Sequence, residues 1–202
     1  MTPEQRKRIV ARHSDSLLRH GHSPNALYWS TREIQELHFE LLCDIGIQSG
    51  DSLLDVGCGF GDLKAYLARA GIEVDYQGVD LSPHLIEKGR TLYPAINLFE
   101  GDLFDFNPAP LSFDYVMLSG ALNEPMKDGG AYARNVIRRM YESCRQGLAF
   151  NLLNAEHEWT ANRFDLQSFL PQEMLAFCQD LGAQCRLHDD YLDNVFTLYL
   201  QR

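Results

Sequence analysis

Apolar positions along this chain follow two periods in turn, and the changes of period predict the order of its elements. Short continuous apolar runs, which are typical of buried strands, lie at 53–56, 72–79, 96–99, 113–118 and 148–153. Between the runs the apolar residues return every three or four positions, as in helices with one buried face. The helix face before the last run carries Val136, Ile137, Met140, Tyr141 and Cys144. This alternation predicts an α/β domain with a mostly parallel, doubly wound sheet.

A helical preface precedes the alternation. Residues 3–19 predict a first helix, and the turn-forming segment 21–24 interrupts it. Thr31 is a suitable N-cap for a second helix, which we expect to end at Gly46. The apolar face of that helix comprises Ile34, Leu37, Leu41, Leu42 and Ile45.

The C-terminal part ends in a hairpin pattern. Pro171 is placed to open a helix that runs to Gly182. Beyond it, strand-forming residues lie on both sides of Asp193 and Asn194, which favour turns. We therefore expect two antiparallel strands at the end of the chain.

The segment LLDVGCGFGDL at 53–63 joins the first strand to the next helix through a glycine turn. Gly57, Gly59 and Gly61 permit backbone angles that other residues avoid, and they let a ligand approach the main chain. A dinucleotide site of the GxGxxG type would place glycine or alanine where this chain has Asp62. Since a carboxylate there would repel a phosphate, the turn favours a nucleoside ligand without phosphates.

Acidic residues follow the second and third strands. Asp80 ends the second strand, where a carboxylate can accept hydrogen bonds from both ribose hydroxyls. Asp102 follows the third strand and is placed to accept from an exocyclic amine such as that of adenine. Either acid alone could be a solvated loop residue. Together with Asp55 and the glycine turn, they predict a nucleoside pocket at the carboxyl edge of the sheet.

In combination, DVGCGFG, GVDLS and EGDLFDF resemble the successive cofactor-binding motifs of class I S-adenosylmethionine-dependent methyltransferases. The resemblance runs from about residue 35 to the C-terminus. It implies a Rossmann-like, seven-stranded, mostly parallel sheet with a C-terminal antiparallel hairpin, S-adenosylmethionine as cofactor, and methyl transfer as activity. The segments RHGHSPNALYWS, SGALN and FNLLN are also similar to a bacterial branch of this superfamily, whose acceptor the motifs do not identify.

The resemblance also implies residue roles. The glycine turn would hold the methionyl part, Asp80 the ribose and Asp102 the adenine amine, while Leu81 and Leu103 would flank the adenine. The complete set of residues that we expect at the cofactor site is Tyr28, Trp29, Asp55, Gly57, Cys58, Gly59, Gly61, Asp80, Leu81, Asp102, Leu103 and Ser119.

Composition restricts the partners and the compartment. With 202 residues the chain is long enough for one domain, 1–202, in which 1–46 form a preface or lid and 47–202 the cofactor-binding core. Its formal charge of −10 disfavours nucleic acid as the acceptor. No segment resembles a signal peptide or a membrane span. The five cysteines lack metal-binding spacing, so we expect reduced thiols in a cytoplasmic protein.

Candidate acceptor groups follow the fourth strand. A metal-dependent catechol-type enzyme of this superfamily would have an aspartate near Ser119, so we expect no metal. Asn123 and Glu124 could orient an acceptor or take its proton, or could merely end the strand and cap the next turn. Histidine is the usual proton acceptor near neutral pH, and His22, His157 and His188 are candidates, but methyl transfer to a nucleophilic acceptor needs no strong base. The catalytic base therefore stays unassigned.

The aromatic pair Tyr28 and Trp29, near Asn25, could stack on a ligand or seal the core. We expect a small-molecule acceptor. The alternatives are a protein methyltransferase, which would need an open groove, and a nonenzymatic S-adenosylmethionine-binding module. A nicotinamide-dependent oxidoreductase is disfavoured by the glycine spacing and Asp62.

Overall fold

The structure, a computed structural model, describes residues 1–202. The strands are β1 (Ser52–Val56), β2 (Asp75–Asp80), β3 (Leu98–Glu100), β4 (Phe113–Leu118), β5 (Cys144–Leu153), β6 (Gln184–Leu192) and β7 (Val195–Gln201). The helices are α1 (Pro3–His20), α2 (Arg32–Cys43), α3 (Asp62–Arg69), α4 (Pro83–Leu92), α5 (Leu103–Phe106), α6 (Ala131–Ser143), α7 (Glu158–Ala161) and α8 (Pro171–Gln179). A short 3₁₀ helix, Pro24–Leu27, lies between α1 and α2.

The strands form one sheet in the order β3-β2-β1-β4-β5-β7-β6. The first five strands run parallel, and β7 pairs antiparallel with both β5 and β6. The order reverses between β1 and β4, and the carboxyl ends of strands at such a switch point open a crevice. The predicted doubly wound fold with a terminal hairpin is confirmed.

Both faces of the sheet are buried under helices. Neighbouring residues of each central strand point to opposite faces. Leu53 packs with α2 and α3 on one face, whereas Leu54 packs with α6 and α8 on the other. Both side chains are fully buried. Such two-sided burial explains why the parallel strands appear in the sequence as continuous apolar runs.

Several element bounds differ from the predicted ones. Cys144 was expected on the helix face, but its backbone is extended and pairs with Phe113, so it begins β5. β2 begins at Asp75 rather than at position 72. The helices α5 and α7 were missed because four residues are too few to show helical periodicity.

The preface lies over the carboxyl edge of the sheet, and Asp62 anchors it there. This carboxylate is buried and accepts hydrogen bonds from Tyr93 Oη at 2.6 Å, His22 Nε2 at 3.2 Å and Gln35 Nε2 at 3.2 Å. Arg32 adds an ion pair at 3.6 Å. Asp62 is therefore engaged by the protein and does not face a ligand. The prediction that its charge repels a phosphate is replaced by a structural role, which is to anchor the preface.

None of the helices combines the length and the apolar character that crossing a membrane requires.

Candidate functional site

A cavity of about 700 Å³ lies at the carboxyl edge of the sheet, over the switch point. Its floor comprises the glycine turn and the ends of β2, β3 and β4. Its roof comprises α1, the loop after the 3₁₀ helix, and α2. Of the residues expected at the cofactor site, all except Gly61 line this cavity.

The glycine turn leaves no room for side chains. Gly57 and Gly59 have positive φ values of 73° and 57°. A Cβ atom on Gly57 would lie 2.2 Å from Ala121 Cβ, and one on Gly59 would lie 2.9 Å from Leu27 Cδ1. Gly61 instead serves packing, because it is the N-cap of α3 and its Cβ would lie 2.4 Å from Ile96 Cδ1. The bare backbone at Gly57 and Gly59 forms a cradle that could hold a closely approaching ligand.

Asp80 fixes the shape of this cradle. One carboxylate oxygen accepts the Gly59 N–H at 2.9 Å, and the other accepts the Ser82 N–H at 2.8 Å. Ser82 is the N-cap of α4, but its buried hydroxyl makes no hydrogen bond. Each carboxylate oxygen keeps a lone pair with which to accept a ribose hydroxyl.

Asp102 is already engaged within the chain. One oxygen accepts the N–H groups of Phe104 and Asp105 and so caps α5. The other forms an ion pair at 2.8 Å with Arg6 of α1, which also pairs with Asp105 at 2.6 Å. The arginine holds the pKa of Asp105 below its usual range. The carboxylate expected to meet adenine thus also holds the roof of the cavity.

Asp55 lies beneath the glycine turn. It is buried and accepts a hydrogen bond from Tyr76 Oη at 2.6 Å. Burial raises the pKa of Asp55 to about 7; the Tyr76 bond lowers it, while the nearby Asp80 and Asp62 raise it further. This carboxyl group therefore binds a proton over much of the range in which surface carboxylates are ionised.

The aromatic pair of the preface lines the roof. Tyr28 donates to the Arg12 carbonyl at 3.0 Å, and the Arg12 guanidinium lies 4.4 Å from the centre of the Tyr28 ring. The Trp29 ring lies close over Gly120, where an added Cβ would meet it at 3.1 Å, and 4.6 Å from the ring of His38. Asn25 shapes the loop by donating to the Trp29 carbonyl at 3.1 Å.

The turn after β4 forms the next wall. Buried Asn151 of β5 accepts the Gly120 N–H at 2.8 Å and lies 3.4 Å from Ser119 Oγ. Asn123 has a buried side-chain oxygen without a hydrogen-bond partner. Glu124 pairs with Arg12 of α1 at 2.6 Å. Glu124 thus fastens the roof, whereas Asn123 keeps a free acceptor.

The three histidines singled out from the sequence lie outside the cavity lining. His22 bonds to Asp62, His157 precedes α7, and His188 pairs with Asp190 at 2.8 Å. Two others, His13 and His38, line the cavity. His38 follows Ile34 by one helical turn, so its place on the apolar face of α2 was the sequence signal that could have revealed it.

Cys58 lines the cavity but is buried, and burial raises the pKa of its thiol well above the usual value. A protonated thiol is a poor nucleophile. No group of three or more His, Cys, Asp or Glu side chains is arranged to hold a metal ion.

Comparison with known proteins agrees with this geometry. The family described as "Methyltransferase domain" matches residues 53–147. A Mycobacterium tuberculosis protein that carries the name methyltransferase Rv1506c is 28% identical over 160 residues, which are 75% of this chain and 93% of that protein. The trans-aconitate 2-methyltransferase of Enterobacter sp. is 36% identical over 69 residues, but these are only 34% of this chain and 27% of that enzyme.

A solved structure shares the whole fold. The geranyl diphosphate C-methyltransferase of Streptomyces coelicolor, solved with Mg²⁺, geranyl diphosphate and S-adenosyl-L-homocysteine, superposes with a TM-score of 0.72 over 100% of this chain and 99% of its own, at 13% identity. In sequence and in fold, the chain is similar to class I S-adenosylmethionine-dependent methyltransferases. It is an enzyme that uses S-adenosylmethionine as methyl donor.

Proposed function

We propose that the enzyme methylates a small molecule that the preface encloses in the cavity. The observation that supports this most directly is the roof. Arg6 and Arg12 of α1 pair with Asp102 and Glu124 on the opposite wall, and Tyr28 packs on Arg12. A cavity covered in this way suits a compact acceptor better than an extended polypeptide, which would need an open groove.

We further propose how this chain holds its donor. S-Adenosylmethionine, when bound, supplies an electrophilic methyl group on a sulfonium. The backbone at Gly57 and Gly59 would accommodate its methionyl part, with Asp55 and Cys58 below. Asp80 would accept the ribose hydroxyls and Asp102 the adenine amine, between Leu81 and Leu103.

We propose a corresponding division of the chain into a core and a lid. Residues 47–202 would form the cofactor-binding core and 1–46 the lid, with Tyr28 and Trp29 as its inner surface. Ser119, at the end of β4 and beside Asn151, would face the reacting groups.

Labelling with a radioactive methyl donor tests the acceptor class. Purified enzyme would be given methyl-labelled S-adenosylmethionine with two fractions of a bacterial extract, one of metabolites and one of desalted protein. We expect label in the metabolite fraction, and calorimetry should show one site for S-adenosylhomocysteine with no comparable binding of NAD. Label that enters only the protein fraction would contradict a small-molecule acceptor.

An Asp75→Ala variant is a suitable matched control for a site variant such as Asp80→Ala. Asp75 and Asp80 are the two ends of β2, but Asp75 is exposed and lies at the strand end remote from the cavity. Labelling should be retained in Asp75→Ala and strongly reduced in Asp80→Ala.

A further inference from the structure

His38 presents an unused proton acceptor in the cavity wall. The side chain is 1% exposed, and its Nε2 atom is buried without a hydrogen-bond partner. Buried polar atoms are nearly always paired, so one without a protein partner in a cavity wall is an acceptor that a bound molecule can satisfy.

The contact made by Nδ1 determines which ring nitrogen of His38 carries the proton. Nδ1 lies 2.7 Å from the Ile34 carbonyl oxygen, which can only accept, so Nδ1 carries the proton. Burial lowers the pKa of His38, and its contact with the Ile34 carbonyl only partly opposes this. The titratable group packed on the ring is Tyr191 of β6, at 6.0 Å between ring centres, and burial keeps it neutral by raising its pKa. Nε2 is therefore a lone-pair acceptor held in a set orientation.

His38 lies at the end of the cavity remote from the nucleoside acids. Asp80 and Asp102 follow β2 and β3, whereas His38 packs against Trp29 and against Tyr191 of the β6–β7 hairpin. In the sheet, β1, β4 and β5 separate β2 from β7. With a spacing of about 4.8 Å between strands, the two groups of residues can bind different parts of a bound pair of ligands.

The charges in the cavity wall disfavour an anionic acceptor. Its two arginines are both paired, Arg12 with Glu124 at 2.6 Å and Arg163 with Asp165 at 2.6 Å. No arginine or lysine of the lining is left free for a carboxylate or a phosphate. A neutral acceptor avoids burying an unpaired negative charge.

We propose that His38 is the catalytic base, and that the acceptor is a neutral molecule whose hydroxyl group donates a hydrogen bond to Nε2. This rests on the proposed methyl transfer to a small molecule. The hydroxyl oxygen forms a bond to the methyl carbon, the bond from that carbon to the sulfonium breaks, and its electron pair stays on sulfur. The hydroxyl proton moves to Nε2, which gives a methyl ether, S-adenosylhomocysteine and a histidinium that releases its proton to solvent.

Two neighbours are rivals for this role. His13 also lines the cavity with an unpartnered Nδ1, but it comes from α1, where its ring packs edge-on against the Tyr28 ring at 5.5 Å between ring centres. The free oxygen of Asn123 can accept a hydrogen bond, but an amide does not take up a proton near neutral pH.

Phenol is the smallest suitable probe, with toluene and benzoate as matched compounds that lack the hydroxyl or carry a charge. Protein labelled with ¹⁵N in its histidines would be saturated with S-adenosylhomocysteine and titrated with each compound. We expect phenol to move the Nε2 resonance of His38 toward the protonated range and to bind roughly tenfold more tightly than toluene or benzoate. In the absence of any ligand, His38 should become half protonated only below its usual pKa.

Three variants separate binding from proton removal. His38→Gln keeps an acceptor facing the cavity but cannot take up a proton, and His38→Phe removes both properties. Anisole formation from phenol and S-adenosylmethionine should fall roughly a hundredfold or more in His38→Gln, with phenol binding retained, whereas His38→Phe should lose both. His157→Gln is the control, because His157 also has an unpartnered nitrogen but lies outside the cavity.

The results that would contradict the role of His38 differ from those that would contradict the proposed function. If S-adenosylhomocysteine binds but phenol leaves His38 unchanged, or wild-type enzyme forms no anisole, or the loss follows His13→Gln instead, His38 is not the base. Tighter binding of benzoate would overturn the neutral acceptor. Failure to bind S-adenosylhomocysteine at all would defeat the proposed function itself, and this inference with it.

Discussion

The two ends of the cavity differ in how far the chain satisfies its own polar groups. At the nucleoside end, Asp55, Asp80 and Asp102 each accept hydrogen bonds from the protein. At the opposite end, His38 and Asn123 keep buried acceptor atoms without partners. On the proposed roles, the first end is a preformed framework for the cofactor, whereas the second would be completed by the molecule that binds there. Pre-organised groups lower the cost of binding, and unpaired ones create selectivity for a matching donor.

At the preformed end, we expect the largest effect from a variant that adds a methyl group at Gly57. In Gly57→Ala the new Cβ would lie 2.2 Å from Ala121 Cβ on a backbone with φ of 73°. The left-handed conformation costs about 1–2 kcal/mol and overpacking a further 1–3 kcal/mol. We expect urea unfolding to show a loss of stability of about 2–5 kcal/mol and calorimetry to show no cofactor binding.

Gly71→Ala is its matched control. Gly71 has a φ of 78°, but nothing lies within 4 Å of an added Cβ. This variant should lose only about 1–2 kcal/mol and bind cofactor normally. Equal losses in both variants would mean that the tight turn at Gly57 is not the reason for its glycine.

Removing Asp80 tests whether the framework also binds. Asp80→Ala deprives the Gly59 and Ser82 N–H groups of their acceptor and removes the proposed ribose contacts. Because hydrogen bonds to charged groups contribute about 1.5–3 kcal/mol, S-adenosylhomocysteine should bind roughly ten- to a hundredfold more weakly by calorimetry. Asp80→Asn, which keeps an acceptor oxygen, should lie in between. An unchanged dissociation constant in folded Asp80→Ala would exclude this residue from the site.

The raised pKa of Asp55 predicts a pH dependence of stability. Between its ordinary value of 3.8 and about 7, the folded state keeps a proton that the unfolded state has lost. The free energy of unfolding therefore falls as pH rises through this window, by up to about 1.4 kcal/mol per pH unit. Burial lowers the pKa of His13 and His38, which acts in the opposite direction below their usual pKa.

The contribution of Asp55 is isolated by comparing variants. Urea unfolding at several pH values should show that Asp55→Asn removes the fall, while Asp75→Asn, at the exposed end of β2, leaves it in place. Parallel curves for wild type and Asp55→Asn would mean that Asp55 is ionised throughout.

The smallest effect concerns the roof. Arg6 is partly exposed, and such ion pairs contribute roughly 0–1 kcal/mol. In Arg6→Ala, amide hydrogen exchange in α1 should therefore rise by a factor of up to about five, with the sheet unaffected. Arg69→Ala breaks a comparable pair with Glu36 on α2 and is the control. Unchanged exchange in α1 would show that Arg6 does not fasten the roof.

The nucleoside end could be predicted from the sequence because it is local. Gly57 and Gly59 follow β1 directly, and Asp80 is the last residue of β2, so strand ends and turns place them without knowledge of the rest. The residue roles themselves stay predictions.

The opposite end depends on distant segments: the spacing places His38 on the apolar face of α2, but it does not show what that face packs against. His38 lines the cavity only because α2 packs beside the β6–β7 hairpin, more than a hundred residues further on. Asp62 likewise gives a local turn signal in the sequence, but its partners His22 and Gln35 come from the preface and make it an anchor.

The ion pair of Arg6 with Asp102 joins residues 96 positions apart, and the hydrogen bond from Tyr199 Oη to the Leu41 carbonyl joins residues 158 apart. Contacts between residues so far apart in the sequence form slowly, because the long chain segment between them must first close into a loop, at a cost in entropy. The preface precedes the sheet along the chain and is synthesised before it, yet one of its supports, β7, follows all the other strands. We expect the sheet to fold before the preface docks, so that the segment that covers the substrate also completes folding last.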